Sequence, residues 1–266
     1  MSSVVQASEG EVPLLISVPH DGRDIPEELQ SRMTDAGRAI PDTDWHVAKL
    51  YDFAAEMGAS VVVANYSRYV VDLNRSADDE SLYPGQVATG LFPEKTFAGD
   101  AIYRDGGVDH DEKAGRLDQY WHPYHKVIRD RLDALREIHG FALLWDAHSI
   151  PSIVPRLFDG DLPALNIGSN KGASCERSIE QAVHAVAEQS RYSSVLNERF
   201  KGGYITRHYG DPKNGIHALQ LEIAQRAYMT ERTSVFDTAK AAVLRDTLQK
   251  MLRAFMDTAH AMMSKQ

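Results

Sequence analysis

The chain has 266 residues, 43% of them hydrophobic and 25% charged, with a net charge of −9. These values suit one large globular α/β unit and exclude the basic footprint of a nucleic-acid binder. A single cysteine, Cys175, excludes an internal disulfide and a cysteine-based zinc site, which leaves eleven histidines as the pool of metal ligands.

The opening residues carry no basic stretch followed by an apolar one, and no apolar run approaches about 18 residues. Neither a secretory signal nor a membrane span is expected, and a cytoplasmic location is. Leu14 to Val18 reads as a short buried strand that breaks into Pro19, His20, Asp21 and Gly22. Such a turn presents an imidazole at a strand end. Pro41 to Ala59 reads as a helix capped by Asp42 or Thr43 and ended by Gly58, with Asp44 in its first turn. Asp44 can point back across the strand end toward His20, with His46 as the alternative in the same turn. Ser60 to Ala64 and Tyr69 to Leu73 read as strands, the second followed by Asn74 and Arg75 with Asp72 beside them. Arginine is the residue best shaped to take a carboxylate in a bidentate fork.

Residues 76–111, rich in Gly, Pro and Asp, read as an active-site flap from which Tyr103 and Arg104 can reach a ligand. Glu112 to His139 has helical apolar spacing, with His122 and His125 as second-choice ligands around Pro123. The run Phe141 to Ser149, "FALLWDAHS", is then the buried strand of a mostly parallel sheet, ending in a polar tip. Open α/β sheets bind ligands at such tips. Period-2 alternation puts Asp146 and His148 on one side. His148 is thus a candidate metal ligand or base, and Asp146 a candidate partner to orient an imidazole. Ala164 to Ile167 is a further short strand, followed by an amphipathic helix. Residues 198–215 form a second Gly-rich loop carrying Tyr204, Arg207 and His208. Ile216 to Ile223 reads as a strand with Gln220 and Glu222 on one face, and a carboxylate so placed is costly to bury without a task. A helix from Ser234 to Met263 closes the chain. With no repeat or linker, residues 1–266 are expected to form a single catalytic domain.

His20, Asp44 and His148 supply two histidines and a carboxylate, the open zinc site of hydrolases with a fourth position left for water. Mn, Fe or Co also suit such ligands. A further carboxylate is needed as general base, and Glu222 suits that role.

The strings "SVPHDGRDIPEEL", "DTDWHVAKLYD", "VVDLNRSADD", "DAHSIPS", "GGYITRHYG" and "HALQLEI" together resemble the N-formylglutamate amidohydrolase (deformylase) family, from about Leu14 to Tyr228. That family is similar in layout to zinc carboxypeptidases and N-acetylmuramoyl-L-alanine amidases. The resemblance therefore implies a three-layer α/β/α, phosphorylase/hydrolase-like fold around a mixed, mostly parallel sheet. It also implies hydrolysis of N-formyl-L-glutamate to formate and L-glutamate, the last step of one histidine-degradation route. By position it implies His20, Asp44 and His148 as ligands of one Zn2+, Glu222 as general base, and Asn74 and Arg75 as holders of a substrate carboxylate. Asp44 stands where many relatives have Glu, so its reach is shorter. A substrate with two carboxylates requires a second cation, expected to be Arg207 or Arg104, with Tyr204 and His208 nearby. The expected partner is a small acidic N-acyl amino acid, with no nucleic acid or membrane, and the chain is expected to be a monomer or small homo-oligomer. The rival expectations are hydrolysis of another N-acyl amino acid or peptide-like amide, and a non-catalytic relative that binds acidic amino acids.

Overall fold

All nine residues of Ala142–Ile150 are buried, the pattern of a strand covered on both faces. In the computed structural model, which describes residues 3–80 and 89–264, this strand is the middle one of a seven-stranded sheet. The strands are β1 (Val5–Ser8), β2 (Leu14–Val18), β3 (Ser60–Ala64), β4 (Ala142–Ile150), β5 (Leu165–Gly168), β6 (Ser194–Leu196) and β7 (Ile216–Ala224). Their spatial order is β1-β3-β2-β4-β7-β5-β6. The inner strands β3, β2, β4 and β7 run parallel. Antiparallel pairing is confined to β1 on β3 and β5 on β7, so the sheet is mixed and mostly parallel, as expected.

The helices are α1 (Glu27–Arg32), α2 (Asp35–Arg38), α3 (Val47–Leu50), α4 (His110–Arg116), α5 (His122–His139), α6 (Arg177–Glu188), α7 (Tyr204–Tyr209) and α8 (Thr238–Met263). Strand alternation divides the apolar side chains between two helix layers. Ile16, Leu143, Trp145 and Leu221 pack with Ile179 and Val183 of α6 and Leu248 and Phe255 of α8. Leu15, Ala142, Leu144 and Ala218 pack with Tyr124, Ile128 and Leu132 of α5 and Ile205 of α7. Each large side chain so buried contributes about 1.5–3 kcal/mol. The same alternation carries Asp146, His148, Gln220 and Glu222 to the α5–α7 side, at the C-terminal ends of β4 and β7. Among the described residues no helix is long and apolar enough to cross a membrane.

Four segments differ from the expectation. Pro41 to Ala59 is not one helix but α3 and a 3-10 turn, Asp52–Ala54, joined by tight turns. His46 sits in the left-handed region at φ 65°, and α3 is capped from outside the segment. The Asp21 carboxylate accepts from the amides of His46 and Ala48 at 3.1 and 2.9 Å. Tyr69 to Leu73 is buried but forms no strand, because side chains rather than a neighbouring strand satisfy its carbonyls. Tyr103 Oη donates to the carbonyl of Tyr69, Arg116 to that of Val70 and His125 to that of Leu73. The helix expected over Glu112 to His139 starts at His110 and is split by a π-turn, Leu117–Trp121, just ahead of Pro123. Proline lacks the N–H that a regular α turn requires there. Residues 198–215 are not wholly loop, since α7 and a 3-10 turn, Pro212–Asn214, lie within them.

Candidate active site

Parallel pairing of β4 with β7 sets His148 directly opposite Glu222, and Asp146 opposite Gln220. His20 lies just past the end of β2, and Asp44 is drawn to it by a bond from its own amide to the His20 carbonyl at 3.0 Å. His20, Asp44, His148 and Glu222 are 2, 1, 3 and 7% exposed. So much buried, ionisable chemistry gathered at strand ends makes this the candidate site.

Each imidazole faces a buried carboxylate. Nε2 of His20 faces Asp72 Oδ1 at 2.8 Å, and Nε2 of His148 faces Asp146 Oδ2 at 3.1 Å. A carboxylate can only accept, so Asp72 favours a hydrogen on His20 Nε2 and leaves its Nδ1 to the interior of the cluster, while His148 Nε2 faces both the Asp146 carboxylate and the Asn74 amide nitrogen. Both Nδ1 atoms face Asp44 Oδ2, at 3.8 Å from His20 and 3.0 Å from His148. The backbone amide of Ser149 donates to that same oxygen at 3.0 Å. His20 Nδ1 and Asp44 Oδ1 are buried without a hydrogen-bond partner. One ligand atom from each of His20, Asp44 and His148 lies within 4.8 Å of the others.

This donor set fits a divalent cation. Burial works against a charged His148, but Asp146 and Asp44 outweigh it and raise its pKa well above the ordinary value. Burial works against a charged Asp44 too, yet the hydrogen bond with His148 and the charges of His20, His148 and Arg68 hold its pKa low. A divalent cation would satisfy the same acceptors. His20 has its pKa lowered by burial and by Arg68, which favours the neutral, ligating imidazole.

Asn74 joins the two sides. Its Oδ1 accepts from the Ile205 amide at 2.8 Å, and its Nδ2 lies 2.8 Å from His148 Nε2 and 3.3 Å from Asp146 Oδ2. Gly203 is pressed against this amide, and a Cβ there would come within 2.3 Å of it. The Gly203 amide donates to Gln220 Oε1 at 2.6 Å. Burial pushes Glu222 up to about 8, with the charge of His148 opposing.

His20, Asp44, Asn74, Arg75, His148 and Glu222 all line one cleft of about 630 Å3, its mouth included. The other expected residues do not. His46 bonds through Nε2 to the Ser234 carbonyl at 2.8 Å. Tyr204 and His208 stack on each other, with Tyr204 also packed on Trp121 and His125. Arg207 donates through Nε to the Gly202 carbonyl. Arg104 is exposed beside Arg32. His122 is exposed, while His125 is buried between Tyr209 and the Leu73 carbonyl.

Two arginines of the cleft, Arg68 and Arg199, escaped the sequence reading. Arg68 is buried, with its guanidinium 2.7 Å from Asp72 Oδ2 and 3.6 Å from Asp44 Oδ1. An arginine four residues before Asp72, next to the apolar run Tyr69 to Val71, was the available signal. Arg199 had no comparable one.

The model of the family described as N-formylglutamate amidohydrolase matches residues 12–229. An N-formylglutamate deformylase of Pseudomonas putida is 49% identical over 95% of this chain and 97% of its own. One of Pseudomonas aeruginosa has the same identity and coverage. The crystal structure of an N-formylglutamate amidohydrolase from Ralstonia eutropha JMP134 superposes with a TM-score of 0.83 at 24% identity, covering 97% of this chain and 98% of that one. A structure from Agrobacterium tumefaciens reaches 0.71 at 19% identity, over 95 and 96% of the two chains. These last two speak for the fold, and the long match at 49% identity speaks for descent. The chain belongs to the N-formylglutamate amidohydrolase family.

Proposed function

We propose that this protein is a metal-dependent deformylase that hydrolyses N-formyl-L-glutamate to formate and L-glutamate. The substrate is that named for the relatives at 49% identity. The observation that carries the chemistry is the convergence of His20 Nδ1, Asp44 and His148 Nδ1, two of them with buried atoms lacking a hydrogen-bond partner. These three residues would hold the metal, with Zn2+ an ion well suited to two histidines and a carboxylate. When bound, such an ion acidifies water and polarises the formyl carbonyl.

The chain's own groups supply the rest. Glu222, opposite His148 on the neighbouring strand, takes the proton of the attacking water and delivers it to the leaving amine. Arg75, on the cleft wall, is held through Nε, Nη1 and Nη2 by Thr89 and the Asn74 carbonyl, and its two remaining N–H groups take a substrate carboxylate. Asn74 positions rather than binds, because both ends of its amide are already engaged. Asp72 and Asp146 fix the imidazoles. In this reading the whole chain is one catalytic domain, working in the cytoplasm on the last step of a histidine-degradation route.

The test is release of free amino acid from N-formyl-L-glutamate, N-formyl-L-aspartate and N-acetyl-L-glutamate, with and without a chelator. N-formyl-L-glutamate is expected to be the best substrate, and chelation to abolish its turnover. Faster cleavage of N-acetyl-L-glutamate, or turnover indifferent to chelator, would overturn the reading.

A further inference from the structure

Of the three residues assigned to the metal, Asp44 is the one with no strand beside it. His148 lies on β4 and His20 just past β2, whereas residues 41–46 are turns and irregular backbone. Because an aspartate side chain is short, the placement of that backbone decides where its carboxylate sits.

Side chains from beyond β7 hold it. The 3-10 turn Gln225–Ala227 follows Ala224, the last residue of β7, directly. Gln225 Nε2 donates to the Thr43 carbonyl at 3.0 Å, and Tyr228 Oη donates to the Trp45 carbonyl at 2.6 Å. The residues before and after Asp44 are thus both held by their carbonyls, while the Asp44 amide donates to His20. A phenol has one hydrogen and a carbonyl can only accept, so the Tyr228 hydrogen goes to Trp45. Its oxygen then accepts from the Ser149 hydroxyl 2.7 Å away. Gln225 Nε2 lies 3.4 Å from that hydroxyl too. Ser149 closes the ring, because its amide donates to Asp44 Oδ2 at 3.0 Å. The turn is itself latched, with Glu231 Oε1 accepting from the amides of Arg226 and Ser152, both at 2.8 Å. Ser149, Gln225 and Tyr228 are all buried, so water cannot readily replace a bond lost from this ring.

We propose that Tyr228, acting with Gln225 and Ser149, is a positioning residue that sets the metal affinity of the site by holding Asp44 against His20 and His148. The proposal rests on the metal reading above and adds to it the part of the chain that places the carboxylate ligand. Glu222, Gln225 and Tyr228 follow one another at intervals of three residues. One segment therefore carries the base and fixes the ligand that faces it.

The experiment measures zinc affinity by competition with a calibrated chelator in wild type, Tyr228→Phe, Asp44→Ala and the double variant. Tyr228→Phe keeps the ring and removes only the hydroxyl. It is expected to weaken zinc binding about tenfold in the wild-type background. In the Asp44→Ala background the same change should stay within about twofold, because the ring acts on the metal only through Asp44. A merely structural role would cost the same in both backgrounds. Gln225→Leu and Ser149→Ala should repeat the pattern, and they carry the comparison if Tyr228→Phe does not fold. Equal losses in the two backgrounds, or no loss in either, would overturn the positioning role while leaving the metal reading intact. Wild-type protein that binds no zinc, or Asp44→Ala that binds it as tightly as wild type, would overturn both.

Discussion

Asp146, His148 and Glu222 stand on β4 and β7, where parallel register alone sets their spacing. Asp44, Arg68, Asp72, Asn74 and Arg75 face them from irregular backbone that belongs to no strand. What holds this second group is a set of individual side-chain donors on the long helical segment behind it. Arg116 donates to the Val70 carbonyl at 2.9 Å, His125 to that of Leu73 at 2.9 Å, and Trp121 to that of Arg75 at 2.9 Å. The Asp42 carboxylate adds bonds from Tyr69 Oη and the Phe97 amide. The sheet half inherits its geometry from backbone pairing shared by many residues. The loop half depends on a few named contacts, so it should yield to single substitutions that the sheet half would absorb.

The largest expected effect comes from the chemistry assigned to the sheet half. Glu222→Gln keeps the shape and should lower kcat by about 10²–10⁴, with zinc content unchanged by elemental analysis. Wild-type turnover in that variant would place the base elsewhere.

The two carboxylates behind the imidazoles offer a direct comparison. Asp72→Asn and Asp146→Asn should each weaken metal binding by about 10- to 100-fold, measured by competition with a calibrated chelator. The loop residue is expected to cost more, because Asp72 also holds the buried Arg68 charge at 2.7 Å, whereas the other donors to Asp146, from Ser17, Asn74 and Thr206, are neutral and lie at 3.3 Å. Equal losses would dissolve the distinction between the halves.

Arg75→Ala tests the loop half at its outer end. It should raise KM for N-formyl-L-glutamate about tenfold to a hundredfold, and an unchanged KM would remove the anchor role.

His125→Gln should have the smallest kinetic effect, a few-fold rise in KM as the Leu73 carbonyl loses its donor. Its clearer signature is in stability. Burial pushes His125 down to about 3, against an unfolded value of about 6.5. Between those values the unfolded chain binds the proton and the folded one does not, so this residue makes stability fall as pH drops below about 6.5. The slope is at most about 1.4 kcal/mol per pH unit. Denaturant unfolding at pH 7.5 and 5 should show a smaller loss in His125→Gln than in wild type. Identical losses would exclude His125 as the source.

The same division decides how much was legible beforehand. "FALLWDAHS" announced a central strand because a strand buried on both faces must be apolar throughout, and its polar tip then stood out. The alternation that paired Asp146 with His148, and set Glu222 beside Gln220, follows from the pleat. Pro41 to Ala59 misled because its apolar spacing is helical while its turns are fixed by a distant carboxylate, Asp21. Tyr69 to Leu73 misled because β-branched and aromatic residues also suit a buried loop when side chains take up its carbonyls. His20, Asp44, Asn74 and Arg75 nonetheless share one cleft, and it is their motifs rather than their secondary structure that point to them. Arg68 and Arg199 escaped that reading, since a cation's place in a cleft depends on contacts between segments far apart in the chain.

The central claim is that His20, Asp44 and His148 hold one catalytic metal ion. Its most direct test is to strip the purified protein with a chelator and titrate zinc back while following release of L-glutamate from N-formyl-L-glutamate. The account predicts no turnover in the stripped protein and a linear recovery that saturates at one equivalent per chain, absent in His148→Ala. Full activity in the stripped protein, or recovery in His148→Ala at the same equivalence point, would contradict it.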